Sequence, residues 1–171
     1  SRIDIGLPLE GLSWQYRFNT LTGEVQIIDF DTDLLDGKLN IASANYNSAG
    51  DPQQVDVVLA DLRVGSLIEL AEYPGLEADG LISGYLPFII EGDTISVEKG
   101  LVGALKPGGS IRYAPADSIP SSNQSLQLVN DALSNYQYQT MNTEVFYDED
   151  GELLLSVQLQ GRNPNMNNGQ A

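Results

Sequence analysis

Apolar and polar residues alternate along most of this chain, and turn signals interrupt the alternation about every ten residues, the rhythm of an antiparallel meander. Trp14, Tyr16 and Phe18 alternate with Gln15 and Arg17, the period of a strand with one apolar face. A turn is expected over 19–23, after which Glu24-Val25-Gln26-Ile27 resumes the pattern. Asp36-Gly37 tolerates positive φ at both residues and is the strongest hairpin signal, with Lys38 to Ser43 alternating beyond it. Val55, Val57 and Leu59 share one face of a strand over 54–62, and the stretch Gly80 to Ile90 is apolar on both faces. Gly92-Asp93 and Pro107-Gly108-Gly109 read as the next turns, with strands starting at Thr94, Gly100 and Ser110. From Met141 the period of two returns in Thr143, Val145 and Tyr147, turns at 148–151, and runs on from Leu153 to Leu159.

Two interruptions carry helical spacing. Ser66-Leu67-Ile68-Glu69 is a capping-box pattern and predicts a short helix over about 66–73, stopped by Pro74-Gly75. Leu126, Val129, Leu133 and Tyr136 fall on one stripe among polar residues, which predicts an amphipathic helix over about 122–138, packed on the sheet or capping it. The chain is thus mainly β with minor α: a strand series with a short helix (1–79), a second strand series (80–120), a helix (121–139) and a C-terminal hairpin with a tail (140–171), expected to form one domain.

Composition removes whole classes of chemistry. Among the 171 residues there is no Cys and no His, so imidazole and thiolate catalysis and metal sites built on either ligand are excluded. Eight Lys and Arg face 24 Asp and Glu, a formal charge of −16, and the cations are strung singly along the sequence. Nucleic acid and anionic lipid surfaces repel such a chain, so neither is an expected partner. The longest strongly apolar run, Leu86 to Ile90, is far short of a membrane span. A strand-like start (Ile3, Ile5, Leu7) and a stop soon after Asn163-Pro164 read as a piece of a longer protein.

Local motifs have plain explanations. Asp29-Phe30-Asp31-Thr32-Asp33 imitates the opening of a calcium loop, but Leu34 and Asn40 stand where that loop needs glycine and a bidentate glutamate. A solvated strand edge is the simpler reading. Pro107-Gly108-Gly109-Ser110 has its lysine before the glycines and a strand after them, so it reads as a turn. Lys38, Lys99 and Lys106 each lie beside a turn, which leaves no positioned partner for a serine nucleophile. No catalytic residue, cofactor or metal is expected. The strands offer more apolar faces than one long helix covers: either the sheet closes on itself, or part of a face stays open as a binding surface.

Several segments together carry a family resemblance. Gly80-Leu81-Ile82-Ser83-Gly84-Tyr85-Leu86-Pro87-Phe88, Val97-Glu98-Lys99-Gly100-Leu101-Val102 and Lys106-Pro107-Gly108-Gly109-Ser110-Ile111-Arg112-Tyr113 resemble the C-terminal region of the YdbH-like family, AsmA-like envelope proteins of Gram-negative bacteria. Asp131 to Tyr138 and Leu159-Gln160-Gly161-Arg162-Asn163-Pro164 fit the same pattern. The resemblance implies a sheet curved into an open trough (the AsmA-like β-taco) in a periplasmic protein tethered to the inner membrane. It implies a non-enzymatic role: passage of phospholipid between inner and outer membranes, with acyl chains as the bound species. A small YnbE-like outer-membrane lipoprotein is the implied partner, joining by strand addition.

On that reading the candidate groove lining is Leu81, Ile82, Leu86, Phe88 and Ile90, with ordinary core packing as the alternative for each. Two other functions remain open on the residues alone. One is a closed β scaffold for protein contacts. The other is a domain binding dicarboxylate-type small anions or carbohydrate.

Overall fold

The computed structural model describes residues 9–46, 52–92, 94–114 and 124–166. Ten strands and two helices follow one another as β1 (Leu9–Phe18), β2 (Val25–Leu34), β3 (Gly37–Tyr46), β4 (Gln53–Arg63), α1 (Val64–Ala71), β5 (Leu76–Asp79), β6 (Leu81–Glu91), β7 (Thr94–Ala104), β8 (Gly109–Tyr113), α2 (Gln124–Leu133), β9 (Tyr136–Tyr147) and β10 (Leu153–Arg162). All pair in a single antiparallel sheet ordered β1-β2-β3-β4-β6-β7-β9-β8-β5, with β10 on the other side of β9. The sheet curls into an open half-barrel trough, so the closed scaffold is set aside. The Ile3–Leu7 pattern and the expected start of the long helix at Ser122 lie outside the described residues.

The expected turns form, with local reasons. Leu35 and Asp36 both adopt positive φ (49° and 62°), which matches a two-residue hairpin to the strand twist. The turn thus sits one residue earlier than Asp36-Gly37 suggests. Gly37 is needed instead because a Cβ there would strike the backbone of Ala60 and Asp61 on β4. Asp148 closes the β9–β10 tip, its carboxylate accepting from the N–H groups of Asp150 (3.1 Å) and Glu152 (2.8 Å).

Three expectations need correction. β2 is paired on both sides, by β1 and β3, so Asp29–Asp33 is no strand edge. Asp31 and Asp33 both reach Lys38 across the pair, at 3.4 and 3.0 Å, which is how those charges are accommodated. Ser66 does not cap α1: the helix starts two residues earlier behind Arg63, and the Ser66 hydroxyl donates to Asp36 Oδ2 at 2.8 Å. Finally, α2 ends at Leu133, because Tyr136-Gln137-Tyr138 pairs as strand with β8 and β10. Leu128 and Val129 are exposed, and the helix packs mainly beside β8 rather than lying over the sheet.

Six strands meet at a seam of glycines. β5 meets β6 at Gly80, β7 gives way to β8 just before Gly109, and Gly161 stands near the end of β10. Tyr138 of β9 fills the seam, 2% exposed, and its hydroxyl donates to the Asp79 carbonyl at 2.6 Å. A Cβ on Gly80 or Gly109 would strike that hydroxyl, and one on Gly108 or Gly161 the adjoining backbone of β9.

Candidate functional site

Directly paired residues of neighbouring strands share a face of the sheet, so the registers can be chained into rows that cross it. One row runs Thr32–Leu39–Leu59–Gly84–Val102–Thr143–Val157 over seven strands. A second runs Phe30–Ile41–Val57–Leu86 and is continued by Gly100–Val145–Leu155, Leu86 lying against Gly100. A third runs Val55–Phe88–Val97–Tyr147–Leu153. Trp14 extends the second row by stacking on Phe30, with ring centroids 6.1 Å apart. Beyond it the β1–β2 register shifts, so Tyr16 and Phe18 pair with Ile27 and Val25 outside these rows.

This is the hollow side of the sheet. Val55, Val57 and Val97 are buried although α1 and α2 pack mainly on β5, on the end of β4 and on β8. Curvature crowds side chains on the concave face, and neighbours in the rows shield one another. Of the two threonines in the first row, Thr32 is wholly buried and its hydroxyl donates to the Glu10 carbonyl at 2.7 Å. The apolar surface remains open toward β10, where Leu153, Leu155 and Val157 are 57%, 51% and 50% exposed.

One end of the concave face is stoppered. Leu34, Leu62 and Ile82 form the buried cluster, with Val64 and Leu67 of α1 packed against them. The capping element is therefore the short helix, not the long one. Its fit follows from β4 running straight into α1, which leaves the helix at the strand ends with its apolar residues turned back to the sheet.

The five candidate residues divide accordingly. β6 keeps regular register with β4 from Gln53–Ile90 to Leu59–Gly84, so Ile82, Leu86, Phe88 and Ile90 share the concave face. Leu81, opposite Arg63, stands on the other face. Ile82 belongs to the stoppered core, while Leu86, Phe88 and Ile90 are half-buried in the unroofed part. The sequence reading missed the contributions of Phe30, Val97, Val145 and Leu155. Their alternation was visible, but which parity faces inward depends on a register that bulges in β4, β7 and β9 shift.

The convex face differs in chemistry. Its central row is Asp31–Asn40–Val58–Tyr85–Leu101–Glu144–Ser156, and Lys99 meets Glu144 at 2.6 Å beside it. Tyr85 donates to Asp56 Oδ1 at 2.5 Å and Gln54 to the same oxygen at 2.7 Å, and these bonds hold the Asp56 carboxyl below its ordinary range. A depressed value in the fold means that the stabilising contribution is present above the ordinary carboxylate range and is lost as pH falls through the folded value. Tyr85→Phe is expected to move the Asp56 titration upward in carboxyl NMR; an unmoved titration would show that the phenol contributes nothing.

Among the described residues no three Asp or Glu side chains converge to hold a metal ion, and no helix is long and apolar enough to cross a membrane. A family model, YdbH-like, described as intermembrane phospholipid transport protein YdbH, matches residues 2–171. No curated protein and no solved structure matches the chain.

Proposed function

Since the chain belongs to the YdbH-like family, we propose that its trough is a section of a passive conduit for phospholipid between the inner and outer membranes. Acyl chains lie along the concave rows and the charged convex face keeps the section dispersed in water. The observation that carries this reading is the run of apolar rows from Trp14 and Phe30 to Leu155, over whose middle and β10 side no described helix packs. A hydrocarbon chain removes such a surface from water at roughly 25 cal/mol per Å² of contact. On this reading the section acts by solvation of hydrocarbon rather than by chemistry. The periplasm is the compartment this role requires, with the inner-membrane tether supplied outside residues 1–171. The outer edge of β10, unpaired among the described residues, is where a small lipoprotein of the YnbE kind would add a strand.

Site-specific photocrosslinking in a lipid-containing host tests the conduit. A photoreactive residue at Leu86, Phe88 or Leu155 is expected to capture phospholipid; one at Tyr85 or Leu101, on the convex face, is expected to capture none. Equal capture from both faces would sink the proposal.

A further inference from the structure

Most cations, single in sequence, lie toward one end of the strands, with Arg17 beside the hairpin tips at the other. Those tips bring Glu24, Glu91, Asp148, Glu149, Asp150 and Glu152, with no cation in the turns themselves among the described residues. Toward the opposite end stand Lys38, Arg63, Lys106, Arg112 and Arg162, interspersed with acids such as Asp33, Asp36, Glu69, Glu77 and Asp79. Three of these are held by carboxylates: Lys38 by Asp31 and Asp33, Arg63 by Asp36, Arg112 by Glu77. Arg162 and Lys106 have no carboxylate within 4.0 Å among the described residues. Arg17, beside the acidic tips, likewise meets no carboxylate among the described residues and donates to Gln26 Oε1 at 2.9 Å, so what sets Arg162 apart is the cavity it lines.

Arg162 lines an open cavity of about 740 Å³ at the glycine seam. Paired registers place Asp79, Ser110, Gln137 and Arg162 in one row across β5, β8, β9 and β10. Gln139, Gln160 and the backbone of Gly108 and Gly109 complete the lining, and Lys106 directly precedes its Pro107 wall. The lining is therefore rich in neutral donors around one guanidinium. Its single carboxylate, Asp79, already accepts from the Gly80 N–H at 2.7 Å. Three segments singled out in the sequence, 106–113, 131–138 and 159–164, contribute to this part of the fold, and the hydrocarbon rows do not use them.

We propose that this cavity is a phosphate site, taking a phosphate mono- or diester of small-molecule size. A guanidinium offers two parallel N–H groups that match two phosphate oxygens, and amide and hydroxyl donors satisfy the remainder. The phosphate chemistry stands by itself; that its source is a phospholipid headgroup rests on the conduit reading.

Backbone NMR of the whole chain, titrated with inorganic phosphate and with glycerol 3-phosphate, tests the site. Saturable shifts confined to Gly108, Gly109, Ser110, Gln137 and Arg162 are expected, weakened about tenfold or more by Arg162→Gln and less by Arg162→Lys. Tighter binding of glycerol 3-phosphate indicates a headgroup source and equal binding a free phosphate, and both uphold the site. Shifts that do not saturate, or that survive Arg162→Gln in a chain whose remaining spectrum is unchanged, overturn it. Lipid capture at Leu86 and Phe88 is measured in the same variant. Its persistence there shows that loss of the phosphate site leaves the conduit standing.

Discussion

A chain carrying Leu155→Asp is expected to retain at most a tenth of the phospholipid that co-purifies with the unaltered chain, whereas the neighbouring Leu154→Asp retains all of it. The two residues are adjacent on β10 and similarly exposed, at 51% and 62%. They differ in face: Leu155 pairs with Val145 in a concave row, and Leu154 pairs with Phe146 on the convex side. Placing a carboxylate against hydrocarbon costs about 2.5–3.5 kcal/mol, which is a factor of roughly a hundred in occupancy if the contact is complete. Because both side chains already meet water, neither substitution empties the core, and both variants should melt close to the unaltered chain. Phospholipid quantified by mass spectrometry against protein gives the ratio. Equal loss in both variants, or none in either, would mean that the concave rows do not carry lipid.

The second large effect concerns stability. Gly109→Ala is expected to lower it by about 3 kcal/mol, the upper range for forcing a methyl group into a filled site. For a chain of this length that is a fall in melting temperature of roughly 6–12 °C. The added carbon would collide with the Asp79 carbonyl and with the Tyr138 ring and hydroxyl together, so relieving one contact tightens the other. Tyr138 is fixed by its bond to Asp79, which leaves no rotamer to yield. Gly23→Ala is the control for a glycine in a turn: it also has positive φ, 75°, but nothing lies within 4 Å of the new carbon, so only the modest backbone cost applies. Urea unfolding of the two variants separates the mechanisms. Equal losses would show that the seam is not closely packed.

Alternation, turn residues and charge were all legible in the sequence, because each is a local property. The hairpin near Asp36, the tips at Asn19 and Asp148 and the strand character of the 80–90 stretch depend on neighbours a few residues away, and all are present in the fold. The absence of His and Cys likewise excluded imidazole and thiolate chemistry at once. What needed the tertiary structure was everything set by pairing at a distance. The helix expected to run on to Tyr138 gave way after Leu133 because strand bonds to β8 and β10 claim the backbone of 136–138, and Ser66 left its expected cap for a carboxylate thirty residues away. Leu81 and Ile82, equal in apolar character, went to opposite faces as neighbours on one strand do, and the pairing with β4 decided which of them looks inward. The same long-range pairing turned scattered apolar residues into rows. A strand's sequence states that it has an oily side, while only its neighbours' register decides whether that side joins a continuous surface and whether anything covers it.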